Sequence, residues 1–110
     1  MESILKYIRT NVGLTEDDNS YDTELISHTN GVLATLTHQL GVGPEEGFAI
    51  SDEYAKWSDF LPTDEPKWNV VKEYVHKKVK LEFDPPASAA HLASLERQVA
   101  EHEWRISIMV

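Results

Sequence analysis

Apolar residues recur at intervals of three and four along four segments of this chain, and glycines or prolines separate each segment from the next. Such spacing places the apolar side chains on one face of an α-helix. The 110 residues of the chain fall within the usual size of one domain. The sequence therefore predicts a mainly α fold over residues 1–110, a single small domain of about four helices with an irregular central loop region.

The first two predicted helices both end at a glycine. Helix one covers residues 2–12 and stops at Gly13, which suits the residue after a helix because glycine tolerates positive φ. The polar run 15–20 offers several side-chain oxygens to cap helix two, which ends at Gly41. Inside helix two, Gly31 costs about 1 kcal/mol relative to alanine. It either allows close packing or weakens the helix.

Residues 41–67 form the irregular part, because glycines and prolines cut this stretch into short pieces. Phe48 and Ile50 alternate with other residues as in a brief strand. A short helix is predicted over 54–61, which places its apolar side chains on the core: Tyr54, Trp57, Phe60 and Leu61.

The third helix begins at Pro66, with Asp64 or Glu65 as its cap. Its apolar stripe ends at Phe83, although the alternation over 79–83 also fits a strand. Asp84, Pro85 and Pro86 then break the helix, since proline lacks an amide hydrogen and disfavours α geometry in the residue before it. These three residues are predicted to form a rigid corner between the third and fourth helices.

The fourth helix has two apolar faces. Ser88 is its predicted cap, and one face forms a heptad-like seam: Leu92, Leu95, Val99, His102 and Ile106. A second face carries Ala93, Ala100 and Trp104. This second face meets either other helices of the same chain or another subunit, and the pattern alone favours neither.

Composition argues against several classes of function. The chain has no cysteine and a net charge of -9, which excludes disulfides and thiolate sites and disfavours tight DNA binding. The start lacks a signal-peptide core, so we expect synthesis in the cytoplasm and no membrane contact.

The histidines do not form a metal site in the sequence pattern, because His28 and His38, like His91 and His102, are too far apart to share a metal. Phosphate-loop and nucleophile motifs are absent, and Glu101 with Arg105 is predicted to be a surface ion pair. We expect no catalytic, cofactor or metal site.

Part of the sequence resembles the head-tail connector proteins of tailed bacteriophages. The resemblance rests on the stretch from Val71 to Ile106, and most of all on three blocks: Val71-Lys72-Glu73-Tyr74-Val75, Lys78-Val79-Lys80-Leu81-Glu82-Phe83-Asp84-Pro85-Pro86, and Glu101-His102-Glu103-Trp104-Arg105-Ile106. The helical layout before residue 71 agrees loosely with that family, whereas the interior of residues 41–61 does not match it residue by residue.

The resemblance implies a structural subunit of the virion neck. Such subunits form a ring, typically of twelve copies, that docks on the portal protein after DNA packaging. The ring extends the DNA channel without specific DNA binding, and it offers a platform to a stopper or tail-completion protein. An acidic surface is consistent with a channel through which DNA slides.

The C-terminal segment is the predicted interface with a partner or a neighbouring subunit. It contains Trp104, Arg105, Ile106, Ile108, Met109 and Val110. The segment is too apolar for a solvated tail, so it either folds back on its own core or inserts into a neighbour. The resemblance favours the second outcome, because connector subunits tend to anchor on the portal through C-terminal segments.

A free-standing acidic phage regulator is the alternative function. Such a protein acts by protein binding, for example by imitating the charge of DNA along one face. The acidic residues here cluster mainly at 16–18, 45–46 and 64–65, in predicted loops, while lysines make the third helix basic. This distribution argues against DNA mimicry.

Overall fold

The computed structural model describes residues 2–110, and within them the fold is entirely helical apart from its loops. The α-helices are α1 (Ile4–Asn11), α2 (Asp22–Gln39), α3 (Trp57–Phe60), α4 (Asn69–Phe83) and α5 (Ala89–Met109). A 3₁₀ helix, Pro66–Trp68, leads directly into α4. The predicted mainly α fold is confirmed, with four longer helices and one single-turn helix.

Helix α4 is the centre of the domain. It lies between α2 and α5 and also contacts α1. Val71, Tyr74, Val75 and Val79 are fully buried along it, so its apolar stripe faces the core as the spacing predicts. The alternation over 79–83 does not produce a strand, because α4 remains helical to Phe83.

Both ends of α1 follow the local sequence signals. Ser3 caps the helix, since its hydroxyl accepts a hydrogen bond from the Lys6 amide at 3.2 Å. Gly13 follows the helix with a φ of 100°, which confirms the predicted stop.

The predicted capping of α2 is wrong. Tyr21 holds the N-cap position and makes no side-chain capping hydrogen bond. The polar residues before α2 form a hydrogen bond among themselves instead, because Asp18 Oδ1 accepts from the Ser20 amide at 3.0 Å. Gly31 is exposed, and a Cβ at this position would meet no heavy atom of the chain within 4 Å. Close packing within the chain therefore does not explain this glycine.

The brief strand predicted at Phe48 and Ile50 is also wrong. No strand occurs in residues 2–110, because the backbone of Ile50 pairs with a side chain rather than with another strand. The Asn30 amide accepts from Ile50 N at 2.7 Å and donates to Ile50 O at 2.9 Å. This exchange ties the central loop to α2.

The short central helix is present but smaller than predicted. Trp57, Phe60 and Leu61 are buried in the core as expected. Tyr54 lies before the helix and is 79% exposed, so its predicted place in the core is wrong. Tyr54 lies in a turn, where its amide donates to Asp52 Oδ1 at 2.9 Å, and just after it Lys56 forms an isolated antiparallel β-bridge with Ser3.

The boundary between α4 and α5 falls at the predicted corner. Helix α4 ends at Phe83, the Lys80 ammonium donates to Asp84 Oδ2 at 2.9 Å, and α5 begins at Ala89 behind a Ser88 cap. Pro66, the predicted first residue of the third helix, instead begins the 3₁₀ helix, whose cap position Glu65 takes without a side-chain capping hydrogen bond. Helix α4 itself begins at Asn69. The sequence signals locate the end of α4 and the start of α5 correctly.

Replacing Pro85 and Pro86 by alanine should test the corner. Both replacements release φ and restore amide hydrogens, so the unfolded chain gains freedom and α4 can extend. We expect a loss of about 1 kcal/mol in the free energy of unfolding, measured by urea denaturation. The double variant Ala89→Ser and Ala90→Ser, beyond the corner, serves as a control. Unchanged stability and unchanged assembly in the proline variant would show that the prolines do not set the corner.

Candidate interaction surface

Helix α5 uses only one of its two apolar faces within the chain. Val99 and Ile106 are its fully buried residues and face the core, with Leu92, Leu95 and His102 half-buried around them. Ala93, Ala100 and Trp104 lie on the opposite face and are all exposed. The second face is therefore mostly open to solvent, although Ala100 lines a shallow cavity together with Lys78 and Leu81 of α4.

The C-terminal segment divides into a buried and an exposed set. Ile106 is fully buried and Met109 packs partly against the core, so these two belong to the end of α5. Trp104, Ile108 and Val110 are 63%, 64% and 57% exposed. Of the two fates considered for the segment, folding back onto the core applies to Ile106 and Met109 only.

Exposed large apolar side chains concentrate at this end of α5. Five such side chains occur among residues 2–110, and three of them lie within the last seven residues of the chain. We call Trp104, Ile108 and Val110 the C-terminal patch. Arg105 lies beside it and is exposed, and its guanidinium donates to Glu101 at 2.8 Å as predicted. Exposed apolar side chains that concentrate at one end of a helix are typical of sites of protein contact.

The attachment of α5 to α4 contains a titratable cluster. The Lys77 ammonium donates to His102 Nε2 at 3.0 Å, which requires a neutral imidazole with its hydrogen on Nδ1. That Nδ1 is buried and finds no partner among the described residues. Burial, and then the charge of Lys77, lower the pKa of His102. Burial also lowers the pKa of His76, which packs beside Tyr7.

This cluster predicts acid sensitivity. The folded protein holds the pKa of His102 and of His76 below the unfolded value of about 6.5, so the unfolded chain binds protons more readily. The free energy of unfolding should therefore fall as pH drops below about 6.5. Urea denaturation at pH 7 and pH 5 measures the fall.

A His102→Gln variant, which removes one of the two groups, should show a shallower pH dependence than the unmodified chain. His38→Gln, a change at an exposed histidine of α2, is the control and should not alter it. If the His102 variant and the unmodified chain lose stability in parallel, His102 is not an acid-sensitive group.

Three of the four lysines of α4 are paired within the chain. Lys72 pairs with Glu2 at 3.2 Å, Lys77 with Glu73 at 3.5 Å and Lys80 with Asp84 at 2.9 Å, whereas Lys78 forms no ion pair among residues 2–110. The acidic residues of the loops, such as Glu45 and Glu46, are exposed. Neutralised lysines and exposed carboxylates leave a surface that does not attract the phosphates of DNA.

A groove that the sequence analysis missed lies where α1, α2 and α4 meet. It has a volume of about 660 Å³, and Leu14, Tyr21 and Phe83 form its apolar wall. Tyr21 is 44% exposed, and its ring meets Phe83 edge-on with the ring centroids 5.4 Å apart. Phe83 lies more than sixty residues after Leu14 and Tyr21, so no local pattern reveals the groove.

Other types of site find no support in the described part of the chain. Within residues 2–110, no three histidine, aspartate or glutamate side chains are grouped so that they can hold a metal ion. No helix in that range is long and apolar enough to cross a membrane. The C-terminal patch, the outer face of α5 and the groove are instead surfaces suited to protein contacts.

A small helical domain with a patch of exposed apolar side chains at one helix end fits the class of structural assembly proteins. The comparison with known families agrees with this class. The model of the phage connector protein family matches residues 4–110, so the chain belongs to that family. The resemblance drawn from Val71 to Ile106 is thereby confirmed and extended over nearly the whole chain.

The family is structural rather than enzymatic, and it supports a general role as a phage connector and virion component. Membership also implies association with the portal and with phage assembly partners in general. Neither a curated protein nor a solved structure matches this chain.

Proposed function

We propose that this protein is a subunit of a head-tail connector ring that docks on the portal after DNA packaging. The ring extends the DNA channel and provides the platform to which the stopper or tail attaches. The observation that carries the proposal is the C-terminal patch in a chain that belongs to the phage connector family. A folded domain that leaves these side chains in water has surface to bury against a partner.

Charge supports the DNA-channel part of the proposal. The net charge of -9 and the internal pairing of the α4 lysines leave little surface for the release of counterions from DNA. A channel lining of this kind lets the duplex pass without binding it.

The structure also suggests how the C-terminal patch docks. Ile106 and Met109 hold the end of α5 on the core, so that Ile108 and Val110 project from a fixed helix end. A preordered element loses less entropy on binding than a free tail. Repetition of this contact around a ring strengthens attachment by multivalency. Trp104 and Arg105 extend the same interface toward a neighbouring copy.

Replacing Ile108 and Val110 together by serine tests the docking. Both side chains are more than half exposed, so the variant should keep the stability of the unmodified protein. Its retention on portal-containing capsids should fall at least about tenfold, because the apolar area buried per subunit decreases. Cosedimentation with capsids measures retention.

Tyr54→Ser is the matched control, since Tyr54 is the most exposed large apolar residue of the described chain and lies outside the C-terminal patch. The control should be retained normally. A folded Ile108 and Val110 variant that binds capsids as well as the control would contradict docking through the C-terminal patch. Removal of residues 106–110 is a poorer test, because it also takes Ile106 out of the core.

A further inference from the structure

We propose that Trp104 of one copy inserts into the groove formed by Leu14, Tyr21 and Phe83 of the next copy. This inference rests on the proposed ring and names the two surfaces that join its subunits. Head-to-tail rings need two different, complementary surfaces on each chain. The outer face of α5 and the groove are two such surfaces.

Trp104 has the properties of an interface anchor. It is 63% exposed, although tryptophan is a side chain that gains much from burial. Ala93 and Ala100 precede it on the same face of α5, so a neighbouring chain can approach the helix closely. Tryptophan and arginine are the residues most often found to dominate binding energy in protein interfaces.

The groove has the properties of a receiving site. Its apolar wall is open to solvent, and the exposed edge of Tyr21 offers an aromatic surface on which an indole can pack. Its volume of about 660 Å³ leaves room for a large side chain.

One charge near each surface has no ion-pair partner within the chain, and these two charges are opposite in sign. On the rim of the groove, His28 is bound to Glu82 at 2.8 Å and Lys80 to Asp84 at 2.9 Å. Glu24, also on the rim, has no ion-pair partner among residues 2–110. Arg97 likewise has none in that range, and it lies two helical turns before Trp104 on the same face of α5. Insertion of Trp104 therefore brings a free guanidinium toward a free carboxylate.

The placement of the two surfaces permits a chain of contacts. Helices α2 and α5 both pack on α4, and the outer face of α5 points away from it. The groove lies on the side of α4 that meets α1 and α2. One copy can thus offer Trp104 to one neighbour while its groove receives Trp104 from the other.

Charge reversal tests the pairing of Arg97 with Glu24. Arg97→Glu and Glu24→Arg, each alone, should weaken assembly on portal-containing capsids about tenfold or more, because each places like charges together. The two changes in one chain should restore assembly to within about threefold of the unmodified protein. A double variant no better than the single variants would overturn the pairing.

Cross-linking tests the insertion directly, because the chain has no cysteine of its own. A chain with Ala100→Cys and His28→Cys keeps Trp104, Glu24 and the apolar wall of the groove, because His28 lies on the rim of the groove. Bound to portal-containing capsids and treated with a short bismaleimide, it should give a ladder of covalently joined copies. The control carries Ala100→Cys and Asp64→Cys, which puts the second thiol in an exposed loop outside the groove, and it should give no ladder.

The outcomes separate this inference from the proposed function. A ladder from the first chain and none from the control supports insertion of Trp104 into the groove. Retention on the capsids without a ladder, or equal ladders from both chains, overturns the insertion and leaves the proposed function intact. If the unmodified protein does not bind portal-containing capsids, the proposed function fails and the inference fails with it.

Discussion

Replacing Gly43 by alanine is expected to lower the free energy of unfolding by about 2 to 4 kcal/mol. Gly43 has a φ of 96°, and a Cβ added there would lie 2.4 Å from Cε1 of Phe60. Phe60 is 2% exposed and packs against Phe48, so its ring has little room to move away. The added methyl group therefore meets both backbone strain and a steric clash in the core.

Gly47→Ala is the matched control for this prediction. Gly47 has the same φ of 96°, but a Cβ there would meet no heavy atom within 4 Å. Only the backbone strain remains, and it should cost about 1 kcal/mol. Urea denaturation of both variants measures the difference. Equal losses in the two variants would show that Gly43 does not stand against a rigid Phe60.

Replacing Arg9 by methionine is expected to cost about 3 kcal/mol, and to lower the melting temperature by roughly 10 to 20 °C. The Arg9 side chain is 1% exposed. Its guanidinium donates to Asp22 through Nε at 3.0 Å and Nη2 at 2.6 Å, and to the Glu16 carbonyl through Nη1 at 2.7 Å. Methionine keeps apolar volume and leaves the Asp22 carboxylate and the Glu16 carbonyl without these donors.

The expected cost reflects what Arg9 connects. Arg9 joins α1 to the first turn of α2 and to the loop between the two helices. This contact matters because Tyr21, the N-cap residue of α2, makes no side-chain capping hydrogen bond. The paired carboxylate of Asp22 raises the pKa of Arg9, so the guanidinium stays charged despite its burial. Thermal unfolding followed by circular dichroism measures the effect.

Lys6→Met on the same helix is the control for Arg9. Lys6 pairs with Glu53 at 3.5 Å with its side chain 39% exposed, so its loss should cost less than about 1 kcal/mol. If the Arg9 variant loses no more stability than the Lys6 variant, the buried ion pair is not a major contributor to the fold.

Local signals in the sequence were sufficient for most of the helix boundaries. Gly13, Ser88 and the two prolines at 85 and 86 act within their own turn of the chain, so their effects are visible without knowledge of the fold. The periodic burial along α4 is likewise a property of one helix face. These signals act within a few residues, so the helix boundaries that they predict agree with the structure.

Predictions that depended on distant partners failed or were incomplete. The strand at Ile50 was wrong because Asn30, twenty residues earlier, supplies its hydrogen bonds. The burial of Arg9 had no sequence signal, because it depends on Asp22, thirteen residues later. Tyr54 had the spacing of a core residue, yet the chain is not helical there.

The candidate interaction surface was predicted in part for the same reason. The alternation of alanines and Trp104 indicates a second face of α5, and the structure leaves that face exposed. Whether Ile106 or Ile108 points to the core depends on how α5 lies on α4, which sequence spacing alone does not determine. The groove at Tyr21 requires three elements to come together, so no pattern within one element predicts it.

Electron microscopy of portal-containing capsids incubated with this protein can show whether it is a connector subunit. We expect a closed ring of additional density on the portal, coaxial with the DNA channel. Capsids that lack the portal should remain bare. If the protein binds no portal-containing capsid, or binds elsewhere on the shell without forming a ring at the portal, the assignment as a head-tail connector subunit is contradicted.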